Sequence, residues 1–223
     1  MFKHATLFAA AALLAAGTAC AQVGITADAG TTGVGAHILV PLGAAVDARF
    51  GANYFKHDFD KRSGLVDYDI KGKLQTVDAL VDWHVIEGSS FRLTGGLVYN
   101  GNKFDARGKP NGAGVFTLNG HTYSTADVGI LTGRIDFRKA APYLGIGWGN
   151  TLDKSARWTA GIDLGAFYQG KANVDLQSVN CAALTAQCTA LARDIAVQRM
   201  RLADDMSDYK IYPVVRVAVG YRF

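Results

Sequence analysis

Past its first sixteen residues this chain has no apolar run long enough to cross a bilayer as a helix, which takes about 20 residues. It is therefore either soluble or spans a membrane by strands, whose outward apolar and inward polar residues alternate and hide from hydropathy. Cysteine is scarce, at three in the whole chain, and no further ligands gather near Cys181 and Cys188, so no metal site is expected. No basic cluster interleaves with aromatics and the formal charge is only +4, which excludes nucleic acid as the expected partner. His37, His57, His84 and His121 are scattered, and none has a serine at a nucleophile's spacing. His57-Asp58 with Asp60 falls in a polar stretch expected to be a solvated loop. The Gly145-Ile146-Gly147-Trp148-Gly149 run alternates within a strand instead of opening a helix, so it is not read as a phosphate loop. Neither catalysis nor a cofactor is expected.

What is present begins with an export signal. A short basic segment, Met1-Phe2-Lys3-His4, precedes an apolar stretch from Ala5 to Ala16 and the small-residue site Ala19-Cys20-Ala21. The expectation is a signal peptide over residues 1–21 with cleavage before Gln22, and one barrel domain over 22–223. Lipid attachment at Cys20 is the alternative, disfavoured by Gly17 where an aliphatic residue is preferred. Losing Lys3 lowers the formal charge to +3, and the two cysteines that remain can pair in an oxidising compartment.

Period-two alternation then recurs along the chain. Val46, Ala48, Phe50, Ala52 and Tyr54 alternate with Asp47, Arg49, Gly51 and Asn53. Val77, Ala79, Val81 and Trp83 alternate with Asp78, Leu80, Asp82 and His84. Phe91–Tyr99, Leu131–Phe137, Tyr143–Gly149 and Trp158–Phe167 repeat the pattern. A soluble sandwich also alternates, but two features favour a membrane barrel. Aromatics (Tyr54, Trp83, Phe91, Tyr99, Trp148, Trp158) stand at strand ends as an interfacial girdle requires. The polar faces also mix both charge signs with many glycines, which suits a narrow interior.

Short links are expected at 41–44, 87–90 and 139–141, and longer polar loops at 55–67 and 105–127. Within the second, Asn119-Gly120 predicts a type I′ hairpin between 115–118 and 121–123. Residues 182–208, rich in Ala, Leu, Arg and Asp, read as a helical insertion before the last strand, either a loop element or a lid for the barrel mouth.

The chain then closes with Val215, Val217, Val219, Tyr221 and Phe223 in one apolar row, opposed by Arg216, Ala218, Gly220 and Arg222. A terminal phenylalanine completing such a row resembles the C-terminal assembly signal of bacterial outer-membrane barrels, carried here by Tyr221 and Phe223. With the Pro142–Gly149 strand, this ending resembles the small OmpA/OmpX-type, porin-like barrels. The resemblance implies an all-β, transmembrane, antiparallel up-and-down barrel in a Gram-negative outer membrane. Its implied partners are outer-membrane lipid, lipopolysaccharide, and the periplasmic chaperone and barrel-assembly machinery.

Eight strands are expected, taking Val23–Val40 as one long first strand. Ten is the alternative, with Val23–Gly30 and Ala172–Val179 as separate crossings. Alternation directs Asp47, Arg49, Asp78, Asp82, Arg92, Arg134, Asp136, Asp163 and Arg216 into the lumen as a charge network. An eight-stranded barrel is just wide enough for side chains to fill. Three functions follow as expectations: a structural or surface-interacting barrel with a filled lumen, a narrow channel or small apolar-ligand conduit, and, least favoured, a lipid-modifying enzyme. A Cys181–Cys188 bridge is expected if the helix starts near Cys188, with free thiols as the alternative.

Overall fold

The computed structural model describes residues 23–63, 66–86, 89–109, 114–149 and 157–223. The expected signal peptide and both readings of its processing lie outside the described residues. In chain order these form β1 (Gly24–Gly30), β2 (Gly33–Pro41), β3 (Val46–Ser63), β4 (Val66–Trp83), β5 (Phe91–Asn100), β6 (Lys103–Lys109), β7 (Val115–Leu118) and β8 (His121–Ser124). There follow α1 (Thr125–Val128), β9 (Ile130–Asp136), β10 (Ala140–Gly149), β11 (Trp158–Tyr168), β12 (Asn173–Val179), α2 (Thr185–Asp205) and β13 (Ile211–Arg222).

Eight strands close an antiparallel barrel in the order β1-β2-β3-β4-β5-β10-β11-β13, with β13 paired back onto β1. Its polarity is inside out relative to a soluble sandwich. Ile25, Ile38, Phe50, Val81, Leu97, Leu144 and Val217 are exposed on the outer wall, whereas Asp28, His37, Arg49, Asp82, Arg92, Asp163 and Arg216 are at most 7% exposed. Exposed Tyr54, Tyr99 and Tyr168 ring one end of the apolar band, and Trp83, Trp148, Trp158 and Phe223 the other. The ten residues of β5 match the roughly 9–11 that a tilted spanning strand needs.

The count of eight holds, but its membership differs from expectation. Val23–Val40 is a hairpin, β1 and β2, turning at Thr31-Thr32 with Gly30 opposite Gly33. The sequence carries a signal for this turn, because the outward apolar row shifts from odd positions (Ile25, Ala27, Ala29) to even ones (Val34, Ala36, Ile38). Gly33 has φ +102°, and a Cβ there would sit 2.6 Å from the Tyr54 carbonyl oxygen. Conversely, 131–137 is not a barrel crossing. It belongs to β9, which runs into β10 through a kink at 137–139, so the expected link at 139–141 is no turn between crossings. Both ends of the barrel sheet, the 42–45 connection and residues 84–86 and 89–90 therefore share one rim.

Above the other rim, five strands continue past the barrel. β3 and β4 run 18 residues each without a break, and β6, β9 and β12 prolong the sheet in the order β3-β4-β6-β9-β12. The stretches expected as polar loops at 55–67 and 105–127 are thus largely regular sheet. Their charges read as loop, yet Lys56, Asp58, Asp105 and Arg107 share one face of the sheet. In β4 the outward positions change from Trp83, Val81, Ala79 and Val77 to Lys73, Lys71 and Asp69, so the outer face inverts from apolar to charged where the barrel ends. The inner face of the extension becomes apolar instead. There Leu131 and Leu176 pack with Leu118 of β7, Val128 of α1, and Leu191 and Ile195 of α2.

The β7–β8 hairpin turns at Asn119 (φ 49°) and Gly120 (φ 84°), as a type I′ turn demands. Asp194 of α2 binds the hairpin, accepting from Asn119 Nδ2 at 3.1 Å, from the Tyr123 hydroxyl, and contacting His121 Nδ1 at 2.8 Å. The Tyr123 donor, then Asn119, holds the Asp194 carboxyl below the usual carboxylate range. That contribution is present above the ordinary carboxylate pKa of about 3.9 and is lost as pH falls through the lowered one. Desolvation, reinforced by Asp194, pushes Tyr123 up to about 12, so its share is fully present below the ordinary tyrosine pKa of about 10 and is lost as pH rises through the raised value.

Cys181 and Cys188 form a disulfide with Cα atoms 6.1 Å apart. The separation is attainable because the helix starts only at Thr185, leaving 181–184 irregular. Replacing both cysteines by serine should destabilise the docking of α2 by about 2–3 kcal/mol in the loop-entropy model. Limited proteolysis should then cut α2 faster while the heat-modifiable barrel band is unchanged. Equal proteolysis rates would show that the bridge constrains nothing.

Candidate functional site in the barrel lumen

The lumen is built from the inward half of each alternating strand. One charge cluster lies between β3, β4, β5 and β11. Arg49 Nη1 donates to Asp163 Oδ2 at 2.8 Å and its Nη2 to Asp82 Oδ1 at 3.1 Å. Arg92 Nη2 donates to Asp163 Oδ1 at 2.7 Å, and the Thr94 hydroxyl to Asp82 Oδ1 at 2.6 Å. Asp163 thus bridges two guanidinium groups. Glycine makes room for this on β10, where a Cβ at Gly147 would lie 2.7 Å from the Arg92 guanidinium carbon.

A second cluster joins β1, β2, β3, β4 and β13. His37 Nδ1 faces Asp28 Oδ2 at 2.7 Å and its Nε2 faces Asp78 Oδ1 at 3.0 Å. Only a ring protonated at both nitrogens donates to both carboxylates. Arg216 Nη2 donates to Asp78 Oδ2 at 2.8 Å, and Asn53 Nδ2 to Asp28 Oδ1 at 2.5 Å. Asp47 lies toward the short-turn rim, 3.7 Å from His84 Nε2.

Beside these clusters and buried polar side chains such as Thr76 and Asn100, the bore holds one apolar layer. Leu80, Val98, Ala141, Tyr143, Phe167 and Val214 pack together at no more than 2% exposure, with Phe167 stacked 4.8 Å from Tyr212. Tyr143 fits because its neighbours are glycines; a Cβ at Gly165 would lie 2.3 Å from its hydroxyl oxygen.

Of the residues assigned to the lumen from sequence, Asp47, Arg49, Asp78, Asp82, Arg92, Asp163 and Arg216 are buried inside the barrel. Arg134 and Asp136 are not in it. Both stand on β9 in the extension, where the polar face points outward. Arg134 Nε donates to Asp105 Oδ1 at 2.7 Å from a side chain 58% exposed, and Asp136 accepts from Asn173 at 3.5 Å. Alternation separated the faces correctly but could not say which one turns inward once the barrel wall ends. His37 and Asp28 were overlooked. Their signal was the parity shift at Gly30–Gly33, which aligns Asp28 with Thr26 on β1 and His37 with Leu39 on β2.

At the closing strand, the Tyr221 ring meets Trp158 at 5.2 Å and Phe223 at 5.3 Å, and Phe223 N donates to Val23 O at 3.2 Å.

Among solved structures the chain is similar to CarO2 of Acinetobacter baumannii, with TM-score 0.59 and 21% identity over 92% of this chain and 100% of that one. It is also similar to CarO of the same organism, with TM-score 0.56 and 21% identity over 91% of this chain and 98% of that one. The shared property is the fold. No family model and no curated protein matches the sequence. The OmpA/OmpX-type resemblance is not confirmed by these matches, which support an eight-stranded outer-membrane barrel.

Proposed function

We propose that this chain is an integral outer-membrane β-barrel with a side-chain-filled lumen, acting through its exterior and its outward extension rather than as a conduit. The observation that carries this reading is the bore itself, crossed by paired charges and sealed by the Leu80–Val98–Tyr143–Phe167–Val214 packing. Placement in the outer membrane is supported by the inside-out polarity, the two aromatic girdles and the fold of the two Acinetobacter proteins. The reading assigns the chain no reaction.

A narrow water-filled channel is the second reading. It is favoured by buried Asp82 Oδ2 and Arg92 Nη1, which have no hydrogen-bond partner among the described residues. Purified full-length protein in planar bilayers separates the two. Stable insertion without discrete conductance steps is the expected result; reproducible steps scaling with salt would establish the channel instead.

A further inference from the structure

Where the outer wall inverts from apolar to charged, the register places three lysines side by side. Lys56 of β3 pairs with Lys73 of β4, Lys73 with Lys103 of β6, and Lys103 with Asp136 of β9. Adjacent strands are about 4.8 Å apart, so the three ammonium stems leave the sheet within about 10 Å of one another. Like charges directly opposite destabilise a sheet. The next row outward shows the ordinary remedy, because Asp58, Lys71, Asp105, Arg134 and Asp175 alternate in sign across the same five strands.

Internal compensation in the lysine row is partial. Lys56 Nζ is 3.7 Å from Asp58, Lys103 Nζ is 3.0 Å from Asp105, and Lys73 Nζ lies 5.6 Å from the Tyr54 ring centroid. The row sits one step beyond Tyr54, the aromatic that ends the lipid-facing band on β3, and it continues that same outer face. Exposed Arg138, at the kink between β9 and β10, lies at the same rim.

The geometry points to a binding surface for the phosphorylated headgroups of outer-leaflet glycolipid, formed by Lys56, Lys73 and Lys103. The inference rests on the membrane-spanning reading, with the rim that holds both ends of the barrel sheet taken as periplasmic and the extension as external, and two features fix the occupant. The row is continuous with the lipid-facing wall, which places it at headgroup depth. Its charge complements a polyanionic layer, where a lysine near the surface strengthens attachment several-fold.

The test compares the wild-type chain with the triple variant Lys56→Gln/Lys73→Gln/Lys103→Gln, each refolded into phosphatidylcholine vesicles with or without lipopolysaccharide. The readout is the temperature at which the heat-modifiable band is lost. Lipopolysaccharide should raise the wild-type midpoint, the triple variant should lose most of that rise, and added salt should diminish it. In pure phosphatidylcholine the variant should be at least as stable as wild type, since repulsion is relieved. An equal rise in both proteins, the same rise with dephosphorylated lipopolysaccharide, or an equal rise with inorganic phosphate alone would overturn the proposal. Failure of the wild type to form a heat-modifiable barrel in phosphatidylcholine would instead sink the membrane reading.

Discussion

Replacing Asp163 by alanine should destabilise the barrel by about 3–5 kcal/mol, the cost of breaking a buried ion pair from one side. Asp163 is 1% exposed and neutralises both Arg49 and Arg92, which are themselves 5% and 2% exposed. Removing it leaves Arg92 with Asp82 at 3.7 Å and Arg49 with the same Asp82 at 3.1 Å, so one carboxylate must serve two cations. Neither guanidinium can shed its proton to escape. Arg134→Ala is the matched control, because its partner Asp105 is also in the extension and exposed pairs contribute about 0–1 kcal/mol. Urea titration of folded protein in vesicles, read by heat-modifiability, should separate the variants clearly. Similar midpoints would mean that the lumen network is decoration on a barrel held by its backbone ladder alone.

Deletion of Phe223 should abolish most of the barrel recovered from the outer membrane while leaving synthesis intact. In the folded protein Phe223 makes a modest contribution, one backbone hydrogen bond to Val23 and a ring contact with Tyr221. Those contacts do not account for a large loss of stability, so a large loss of membrane-assembled protein points to recognition during assembly. Comparing the two routes makes this decisive. Refolding into vesicles in vitro should tolerate the deletion, whereas assembly in cells should not. A normal amount of heat-modifiable protein in cells would remove the assembly role from this residue.

The barrel was legible in the sequence because its wall is regular. From Val46 to Tyr54 and from Phe91 to Tyr99 every second side chain meets apolar surroundings, and that constraint leaves a period-two imprint whichever strand pairs with which. Strand membership was harder to read. A two-residue turn at Thr31-Thr32 has no proline or long polar loop to mark it, and its traces are the flanking Gly30 and Gly33 and a change of parity. The extension was obscured for a different reason. Its charged outer face and apolar inner face reverse the wall's arrangement, so β9 resembled one of the eight spans and β6 resembled loop. Within the lumen, pairing partners could not be read at all. Arg49 and Asp163 are 114 positions apart, and only barrel closure and shear bring them together.

The unbroken run of β3 from Val46 to Ser63 also sets a height. Nine residues beyond Tyr54, at about 3.3 Å each and tilted by about 40°, rise roughly 23 Å above the aromatic ring. That is less than the roughly 30 Å hydrocarbon thickness of the bilayer beneath. The hairpin, the disulfide and α2 are therefore held close to the membrane at a nearly fixed stand-off, on a stiff ribbon rather than a tether. Approach to them is a matter of clearance: slender molecules and neighbouring lipids can reach the flanks, while a bulky macromolecule meets the β3–β4 tip first.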